Sequence, residues 1–246
     1  MAKPSDLFFD RARVETIPTK RVRWGTSYRL HSTKYPPVPY WEGIADAEDA
    51  KVLDDLEKLT DPTARQAVGR ISLVPASRRI FGPGASFVMG PFVHASKDYP
   101  SRFTDGSFGI YYAGRQFETA LREVAYHRAL FHAATSDPPG ARTSFATIAA
   151  KIDKKLHDLR TGAWSALLDP DPSKYGLPQT YGSFLKEAGS NGIVYPSVRH
   201  DKGECIAAFW PNIMANPKEI GRITLKWDGS KIGEWFDFKT EEWASL

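Results

Sequence analysis

Three residues with complementary chemistry lie at nearly even spacing in the middle of the sequence. Arg102 stands ten residues before Tyr112, and Tyr112 stands eleven residues before Glu123. An arginine can donate two hydrogen bonds to a phosphate, a tyrosine offers a flat stacking surface, and a glutamate can stabilise a developing cation. Ser197 and Arg29 offer further polar groups at a greater distance along the chain. For each residue, the alternative interpretation is a core or surface side chain that only pairs locally.

A short strand and the helix after it would have to bring these residues together. Residues 107–113 (SFGIYYA) are β-branched and aromatic and lie between glycines, which predicts a buried strand. Residues 116–134 predict an amphipathic helix with Glu123 on the margin of its apolar face. That apolar face comprises Phe117, Ala120, Leu121, Val124, Ala125 and Phe131. Because a short strand and the next helix pack against each other, Arg102, Tyr112 and Glu123 can converge.

The rest of the sequence predicts a mixture of strands and helices. Alternating residues predict a first strand over 22–30, with Arg29 near its end, and an acidic amphipathic stretch predicts a helical insertion near 44–69. Further strands are predicted at 70–75, 144–152, 192–197 and 204–210, a loop or strand pair at 81–92, and a helix at 181–188. Asp228-Gly229-Ser230 predicts a C-terminal β-hairpin. We expect an N-terminal arm over 1–20 and a single domain over 21–246.

Composition and charge narrow the function classes. The 246 residues contain 41% hydrophobic side chains and no apolar run long enough for a membrane helix, so we expect a cytoplasmic globular protein. The single cysteine, Cys205, lies in an apolar run and is expected to be a buried structural thiol. The net charge of +4 is not concentrated in any block, which makes direct nucleic-acid binding unexpected and suits small phosphate-bearing ligands.

Several common catalytic motifs do not occur in the sequence. There is no P-loop, no G-x-S-x-G nucleophile elbow, no H-E-x-x-H and no G-x-G-x-x-G after a strand. Glu123 and His127 have the i, i+4 spacing of metal ligands, but no third ligand is evident nearby, so we expect no metal.

Two stretches of the sequence resemble the RES family, which is named for its arginine, glutamate and serine and comprises toxins of bacterial Xre-RES toxin-antitoxin modules. These core motifs are SRFTDGSFGIYYAGRQFETALREVAYHRALF at 101–131 (with its first motif residue at 102) and GIVYPSVRHDKGECIAAFWP at 192–211. Arg102, Tyr112, Glu123 and Ser197 match the family's motif positions, and Arg29 matches a second arginine of the first strand. The family's R-W-N is Arg102-Phe103-Thr104 here, so the aromatic residue is kept and the asparagine is replaced.

The resemblance implies an α+β, ADP-ribosyltransferase-like fold, with a mixed β-sheet core and flanking helices. It also implies that NAD is bound as a substrate rather than a cofactor, and that its nicotinamide-ribose bond is cleaved. Glu123 would then stabilise the oxocarbenium-like ribose, as carboxylates do in glycoside cleavage. Arg102 and Arg29 would hold the pyrophosphate, Tyr112 would stack on nicotinamide or ribose, and Ser197 would hydrogen-bond near them. Without the resemblance, Ser197 is a turn hydroxyl after Pro196.

The resemblance leaves the acceptor of the ribosyl group open. Water would make the protein an NAD glycohydrolase, phosphate would make it an NAD phosphorylase, and a protein side chain would make it a protein ADP-ribosyltransferase. The implied partner is a helical antitoxin of the Xre type, with a helix-turn-helix, covering the cleft. A different class is a non-catalytic interaction protein, which would bind through the acidic helix at 46–59 or through the aromatic residues of the C-terminal hairpin, Trp227, Trp235, Phe236 and Trp243.

Overall fold

A computed structural model of the protein describes residues 11–34, 41–43 and 69–246. Within these residues the chain forms one eight-stranded mixed sheet with four α-helices, so the α+β class expected from the sequence is confirmed. The helices are α1 (Arg11–Glu15), α2 (Ala85–Val93), α3 (Phe117–Ala134) and α4 (Gly176–Glu187). The strands are β1 (Thr19–Ser32), β2 (Tyr111–Gly114), β3 (Arg142–Asp158), β4 (Gly192–Pro196), β5 (Glu204–Ala208), β6 (Met214–Trp227), β7 (Ile232–Asp237) and β8 (Glu242–Ser245).

The sheet is organised around the long strand β3. The strand order is β1-β2-β5-β4-β3-β6-β7-β8, and β1 also pairs with β3, so five of the strands form a closed circuit of pairings. β1 and β3 pair antiparallel from Thr19 opposite His157 to Ser32 opposite Phe145. The pairing of β3 with β4 is parallel, whereas the other pairs of named strands are antiparallel. This arrangement places β2, β5 and β4 next to one another. Tyr112 lies in β2, and Ser197 directly follows β4.

Helix α3 packs against the sheet with the face that the sequence predicts. Leu121 and Ala125 are buried in a cluster with Leu30 of β1 and Phe145 of β3. Phe131, which the pattern assigns to the same face, is instead 48% exposed. His132 takes the buried position at this end of the helix, because its two ring nitrogens contact Asp137 and Thr143 and its ring stacks on Trp227.

Two short segments differ from their predicted structure. Residues 71–73 of the predicted strand at 70–75 form a single 3₁₀ turn, and much of the predicted loop or strand pair at 81–92 belongs to α2. Gly84, with a φ of 78°, begins this helix, and Val88 and Met89 are fully buried. Burial of these side chains offsets the poor helix propensity of Gly90 and Pro91, which the local sequence alone cannot show.

The strand predicted over 107–113 is shorter and later than expected. Only Tyr111–Gly114 pairs, with β1 and β5. Ile110 is nonetheless buried, and a side chain at Gly109 would collide with the backbone of Pro91. The apolar character of residues 107–110 therefore reflects packing against α2 rather than strand pairing.

The ends of the chain agree in part with expectation. β6 and β7 form the predicted antiparallel hairpin around Asp228-Gly229-Ser230, and β8 extends it. The helical insertion predicted near 44–69 lies, apart from Gly69, outside the described residues. Of the predicted N-terminal arm, residues 1–10 also lie outside them, whereas Val14 and Ile17 are buried in a hydrophobic cluster with Leu159. Every helix in the described ranges falls short of the length and hydrophobicity that a membrane span requires.

Candidate active site

One large cleft gathers the predicted site residues. Among the described residues, a cleft of about 2010 Å³ runs between α3, the turn before β2 and the start of β3. Arg29, Arg102, Tyr112 and Glu123 all line it, and Ser197 lies directly against Glu123. All five predicted residues are thus brought to one place, although they are spread over 169 positions from Arg29 through Ser197.

Glu123 is held by a short hydrogen bond from Ser197. The hydroxyl of Ser197 donates to Glu123 Oε1 at 2.6 Å, a typical length for a hydroxyl bound to a carboxylate. Cys205 Sγ lies 3.8 Å from the same oxygen. Glu123 Oε2 has no hydrogen-bond partner among the described residues. One carboxylate oxygen is therefore anchored, and the other is available to a bound molecule.

Ser197 also closes the turn between β4 and β5, as expected for a turn hydroxyl after Pro196. Its Oγ accepts hydrogen bonds from the backbone N–H groups of Arg199, at 3.1 Å, and His200, at 3.0 Å. Its own N–H donates to Gly203 O at 2.8 Å. A hydroxyl has one proton and two lone pairs. The two N–H groups occupy the lone pairs, and the proton is directed to Glu123.

The side chains beneath Glu123 are buried and neutral. Cys205 and Tyr195 are both buried, on the neighbouring strands β5 and β4. Burial, reinforced by the charge of Glu123, raises the pKa of the Cys205 thiol well above its ordinary value. Burial likewise raises the pKa of Tyr195, with Cys205 and Glu123 adding to the effect. The thiol and the phenol therefore stay protonated. The sequence predicts a buried structural thiol at Cys205, and its burial is confirmed.

Tyr112 is fixed by the turn that carries Arg102. Its hydroxyl lies 2.9 Å from Ser101 Oγ and accepts a hydrogen bond from the N–H of Phe103 at 3.1 Å. Burial raises the pKa of Tyr112 to about 12. At the position where the family has asparagine, Thr104 is buried, and its hydroxyl bridges Phe108 O and the N–H of Gly106. The ring at Phe103 is fully buried as well, so this turn is a rigid support for the cleft wall.

The guanidinium of Arg102 is bound by a neighbouring segment of the chain. Its Nη1 donates to Asp169 O at 2.7 Å and to Leu167 O at 3.4 Å, and its Nη2 donates to the Tyr175 hydroxyl at 3.2 Å. The same guanidinium lies over the Tyr175 ring, 4.6 Å from its centroid, and Arg102 is only 6% exposed. Arg102 thus contributes positive charge to the cleft while fastening residues 167–175 beside it.

Arg29 joins β1 to the site. Its Nη1 donates to Tyr112 O at 3.1 Å, and its guanidinium lies 4.9 Å from the centroid of the Tyr111 ring. Its Nε is buried and has no hydrogen-bond partner among the described residues. Burial lowers the pKa of Arg29, but a guanidinium remains charged under all conditions relevant to proteins.

Positive charge dominates the cleft. Its described lining includes five arginine or lysine side chains, Arg29, Lys34, Arg102, Arg128 and Arg142, against the two carboxylates of Glu123 and Asp137. Of these two, Asp137 is already bound, because its Oδ2 lies 2.7 Å from His132 Nδ1. Burial, together with the charges of Arg199 and Arg102, lowers the pKa of His127. Such a surface attracts anions, and phosphates in particular. No group of three metal-ligating side chains occurs in the described ranges, which include the Glu123–His127 pair.

Some residues of the site were not identified from the sequence. Ser101, Tyr175 and Tyr195 contact or surround the predicted residues, and Cys205 was expected only to fill the core. Ser101 directly precedes Arg102, and Tyr195 and Cys205 lie within the 192–211 motif, which is a weak signal for these three residues. Tyr175 lies far from both motifs, and nothing in the local sequence marks it.

Fold and site together define an α+β protein with a serine-anchored carboxylate in a cation-lined cleft. The sequence model of the RES domain matches residues 76–228, which is more than half of the chain and includes Arg102, Tyr112, Glu123 and Ser197. The chain belongs to the RES family.

Two individual proteins are similar to this chain. The uncharacterized protein y4oC of Sinorhizobium fredii (strain NBRC 101917 / NGR234) is 22% identical over 218 residues, which cover 86% of each chain. A chain in the crystal structure of the M. tuberculosis MbcT-MbcA toxin-antitoxin complex is 13% identical, with a TM-score of 0.40 over 86% of this chain and 93% of that chain.

Proposed function

We propose that this protein is the toxin of a bacterial toxin-antitoxin module and that it degrades NAD by cleaving the nicotinamide-ribose bond. Two things support the proposal: membership of the RES family, whose members the sequence resemblance identifies as such toxins, and the contact of Ser197 with Glu123. The contact carries the chemical argument. It connects two motif residues that are 74 positions apart in the sequence, at the wall of a basic cleft.

The chemistry requires one carboxylate and no metal. When the bond between the ribose carbon and the nicotinamide nitrogen breaks, its electron pair stays with nicotinamide, and the ribose becomes oxocarbenium-like. Glu123 Oε2 would face this developing charge, while Oε1 remains bound to Ser197. Water would then bond to the ribose carbon and lose a proton, giving ADP-ribose. Inorganic phosphate in place of water would give a phosphorylated ADP-ribose.

The cations of the cleft would hold the rest of the substrate. The pyrophosphate of NAD carries two negative charges, and the charges of Arg29 and Arg102 flank Tyr112 on the cleft wall. Arg29 lines the cleft, but its Nε is buried and its Nη1 is bound to Tyr112 O, so it would attract the phosphates chiefly through its charge. Arg102 would act chiefly through its charge, because several of its N–H groups are bound to residues 167–175.

Product analysis tests the reaction. Purified protein is incubated with NAD, with and without inorganic phosphate, and the products are separated by chromatography and identified by mass. Nicotinamide with ADP-ribose indicates hydrolysis, and a phosphorylated ADP-ribose that forms only with phosphate indicates phosphorolysis. Transfer of the label from ADP-ribose-labelled NAD to protein would instead indicate a protein ADP-ribosyltransferase. Intact NAD under all conditions would refute the proposal.

Two variants of helix α3 test the role of the carboxylate. Glu123→Gln preserves shape and removes the charge, so we expect nicotinamide release to fall at least about a hundredfold while the melting temperature changes little. Glu118→Gln is the matched control, because Glu118 is exposed on the same helix and pairs with Arg122. Glu118 Oε2 lies 3.7 Å from His200 Nε2, and the described structure shows no contact of Glu118 with Glu123 or Ser197. Parent-like turnover by a folded Glu123→Gln protein would contradict the mechanism.

The antitoxin is tested in cells. Expression of the parent should stop growth and deplete NAD, whereas the Glu123→Gln variant should be tolerated. Co-expression with a helix-turn-helix protein encoded next to this one should restore growth. Toxicity that persists in the Glu123→Gln variant would show that growth arrest does not depend on NAD cleavage.

A further inference from the structure

Arg199 makes three contacts that join separate parts of the site, and the sequence motifs assign no role to it. Its backbone N–H donates to Ser197 Oγ at 3.1 Å. Its guanidinium carbon lies 3.3 Å from the centroid of the Tyr126 ring, and its Nη2 donates to Pro170 O. One residue therefore contacts the serine turn, the helix that carries Glu123, and the segment that binds Arg102.

The contact with Tyr126 fixes the part of α3 that carries the carboxylate. Tyr126 lies three residues after Glu123, and side chains at this spacing are neighbours on a helix surface. A guanidinium stacked on an aromatic ring is held in its plane more strictly than an ammonium group would be. The turn after β4 is thereby tied to α3 one helical turn from Glu123.

The contact with Pro170 joins Arg199 to the same segment that Arg102 holds. Arg102 donates to Leu167 O and to Asp169 O, and Asp169 directly precedes Pro170 in the sequence. The two arginines thus fasten residues 167–170 from two directions. Their combined charge also contributes to the lowered pKa of His127, after burial, so His127 stays neutral beside the cleft.

The guanidinium of Arg199 is not placed there by hydrogen bonding alone. Its Nε is buried and has no hydrogen-bond partner among the described residues. A buried N–H without a partner costs stability. The Arg199 side chain is therefore held by its contacts with Tyr126 and Pro170, although its Nε lacks a hydrogen bond in the described part of the chain.

We propose that Arg199 is a positioning residue for NAD cleavage, which orients the Ser197 hydroxyl toward Glu123 by anchoring the turn to Tyr126 and Pro170. This inference rests on the proposed function. The guanidinium fixes the backbone at position 199, and the N–H of that residue fills one lone pair of Ser197 Oγ. The N–H of His200 fills the other, so the hydroxyl proton is left with Glu123 Oε1 as its acceptor.

The test separates kcat from KM in variants of the full-length protein. Arg199→Gln keeps the backbone N–H and removes the planar charge, so we expect kcat for nicotinamide release to fall at least about tenfold, with KM for NAD within about threefold of the parent. Arg122→Gln is the control, because Arg122 is a partly exposed arginine of α3 whose partner among the described residues is Glu118. It should leave both constants unchanged. A kcat within about twofold of the parent in a folded Arg199→Gln protein would overturn the inference.

A double variant tests whether Arg199 acts through Ser197. If it does, Ser197→Ala combined with Arg199→Gln should lose no more kcat than Ser197→Ala alone. Losses that multiply would show that the two residues act independently and would overturn the proposed route. Should Arg199→Gln fail to fold, Tyr126→Leu removes only the ring under the guanidinium and should lower kcat by about threefold or more. An unchanged kcat in Tyr126→Leu would overturn the inference by itself.

The parent assay distinguishes this inference from the function on which it rests. A parent protein that leaves NAD intact overturns the proposed function, and with it any role of Arg199 in that reaction. An active parent together with an active Arg199→Gln variant overturns the role of Arg199 alone.

Discussion

Removal of the Ser197 hydroxyl is the most informative single perturbation, because that hydroxyl makes three hydrogen bonds with different consequences. Ser197→Ala removes the 2.6 Å bond to Glu123 Oε1 and the acceptor for the N–H groups of Arg199 and His200. A hydrogen bond to a charged group contributes about 1.5–3 kcal/mol. Since each 1.4 kcal/mol corresponds to about a factor of ten in rate, nicotinamide release should fall by at least roughly tenfold.

The same substitution should also lower stability. Loss of a side-chain acceptor that caps backbone N–H groups costs about 1 kcal/mol in comparable turns and helix caps. The Glu123 carboxylate faces the cleft, where water can replace part of what Ser197 supplied. We therefore expect the free energy of unfolding to fall by about 1–2 kcal/mol, which is a decrease in melting temperature of roughly 2–8 °C for a chain of this size.

Both quantities should be measured on the same preparation. Nicotinamide release gives the turnover, and thermal unfolding gives the stability, so turnover can be expressed per folded molecule. Ser197→Thr serves as the control, because it keeps the hydroxyl and should retain more activity than the alanine variant. If Ser197→Ala melts earlier and yet turns over NAD at the parent rate, Ser197 is a turn residue only, and the catalytic argument is refuted.

Three further predictions concern the surroundings of the site. Arg102→Lys keeps a positive charge but loses the planar fork that binds residues 167–175, so the charge is no longer held in place, and NAD binding in calorimetry should weaken by about tenfold or more. Unchanged affinity with a lower melting temperature would make Arg102 purely structural. Burial lowers the pKa of Lys186 from its ordinary 10.5 to about 8. Above pH 8 the unfolded chain therefore binds more protons than the folded chain, and the free energy of unfolding should rise by about 1–2 kcal/mol between pH 8 and 9.5. Lys186→Met should remove this rise when denaturation is measured at several pH values. The same change in unfolding free energy with pH in the variant and the parent would contradict the prediction. Gly182→Ala would place a methyl group 2.0 Å from Phe103 O and should cost at least about 2 kcal/mol in thermal unfolding, whereas Gly176→Ala on the same helix, with open space around it, should cost almost nothing. Equal stability of the two alanine variants would show that α4 can move away from the Arg102 turn.

The parts of the fold that the sequence predicted are those with strong local periodicity. α3 was expected over 116–134 and runs over Phe117–Ala134, because its apolar residues recur at helical spacing and pack on the sheet. The hairpin around Asp228-Gly229-Ser230 was identified from turn residues that adopt their preferred conformation, including Gly229 with a φ of 106°. In both cases local preference and tertiary packing agree.

The parts that the sequence did not predict depend on distant contacts. α2 contains Gly90 and Pro91, and only the burial of its other side chains makes it helical. Phe131 was assigned to a buried face, but His132 occupies it because Asp137 and Thr143 satisfy both ring nitrogens. No local pattern records either arrangement.

The candidate site shows the same division. Arg102, Tyr112 and Glu123 could be chosen from the residue types and spacing, and the resemblance to the RES family added the match of Ser197. The hydrogen bond between Ser197 and Glu123, the binding of Arg102 to residues 167–175, and the stacking of Arg199 on Tyr126 join segments far apart in sequence. Such contacts are set by how β4, β5 and α3 assemble, which a single sequence does not reveal.

The position of Cys205 gives the protein a built-in reporter of its own motions. It is the only cysteine among the 246 residues, it is 3% exposed, and its sulfur lies 3.8 Å from Glu123 Oε1. Because the thiol is buried at the cleft and protonated, its reaction with a disulfide reagent depends on transient opening of the structure around it. The rate of thiol exchange therefore reports openings at this one place. In the Glu123→Gln variant, which should leave NAD intact, slowing of the exchange by NAD would measure how tightly an occupied cleft holds its surroundings together, with no label introduced into the protein.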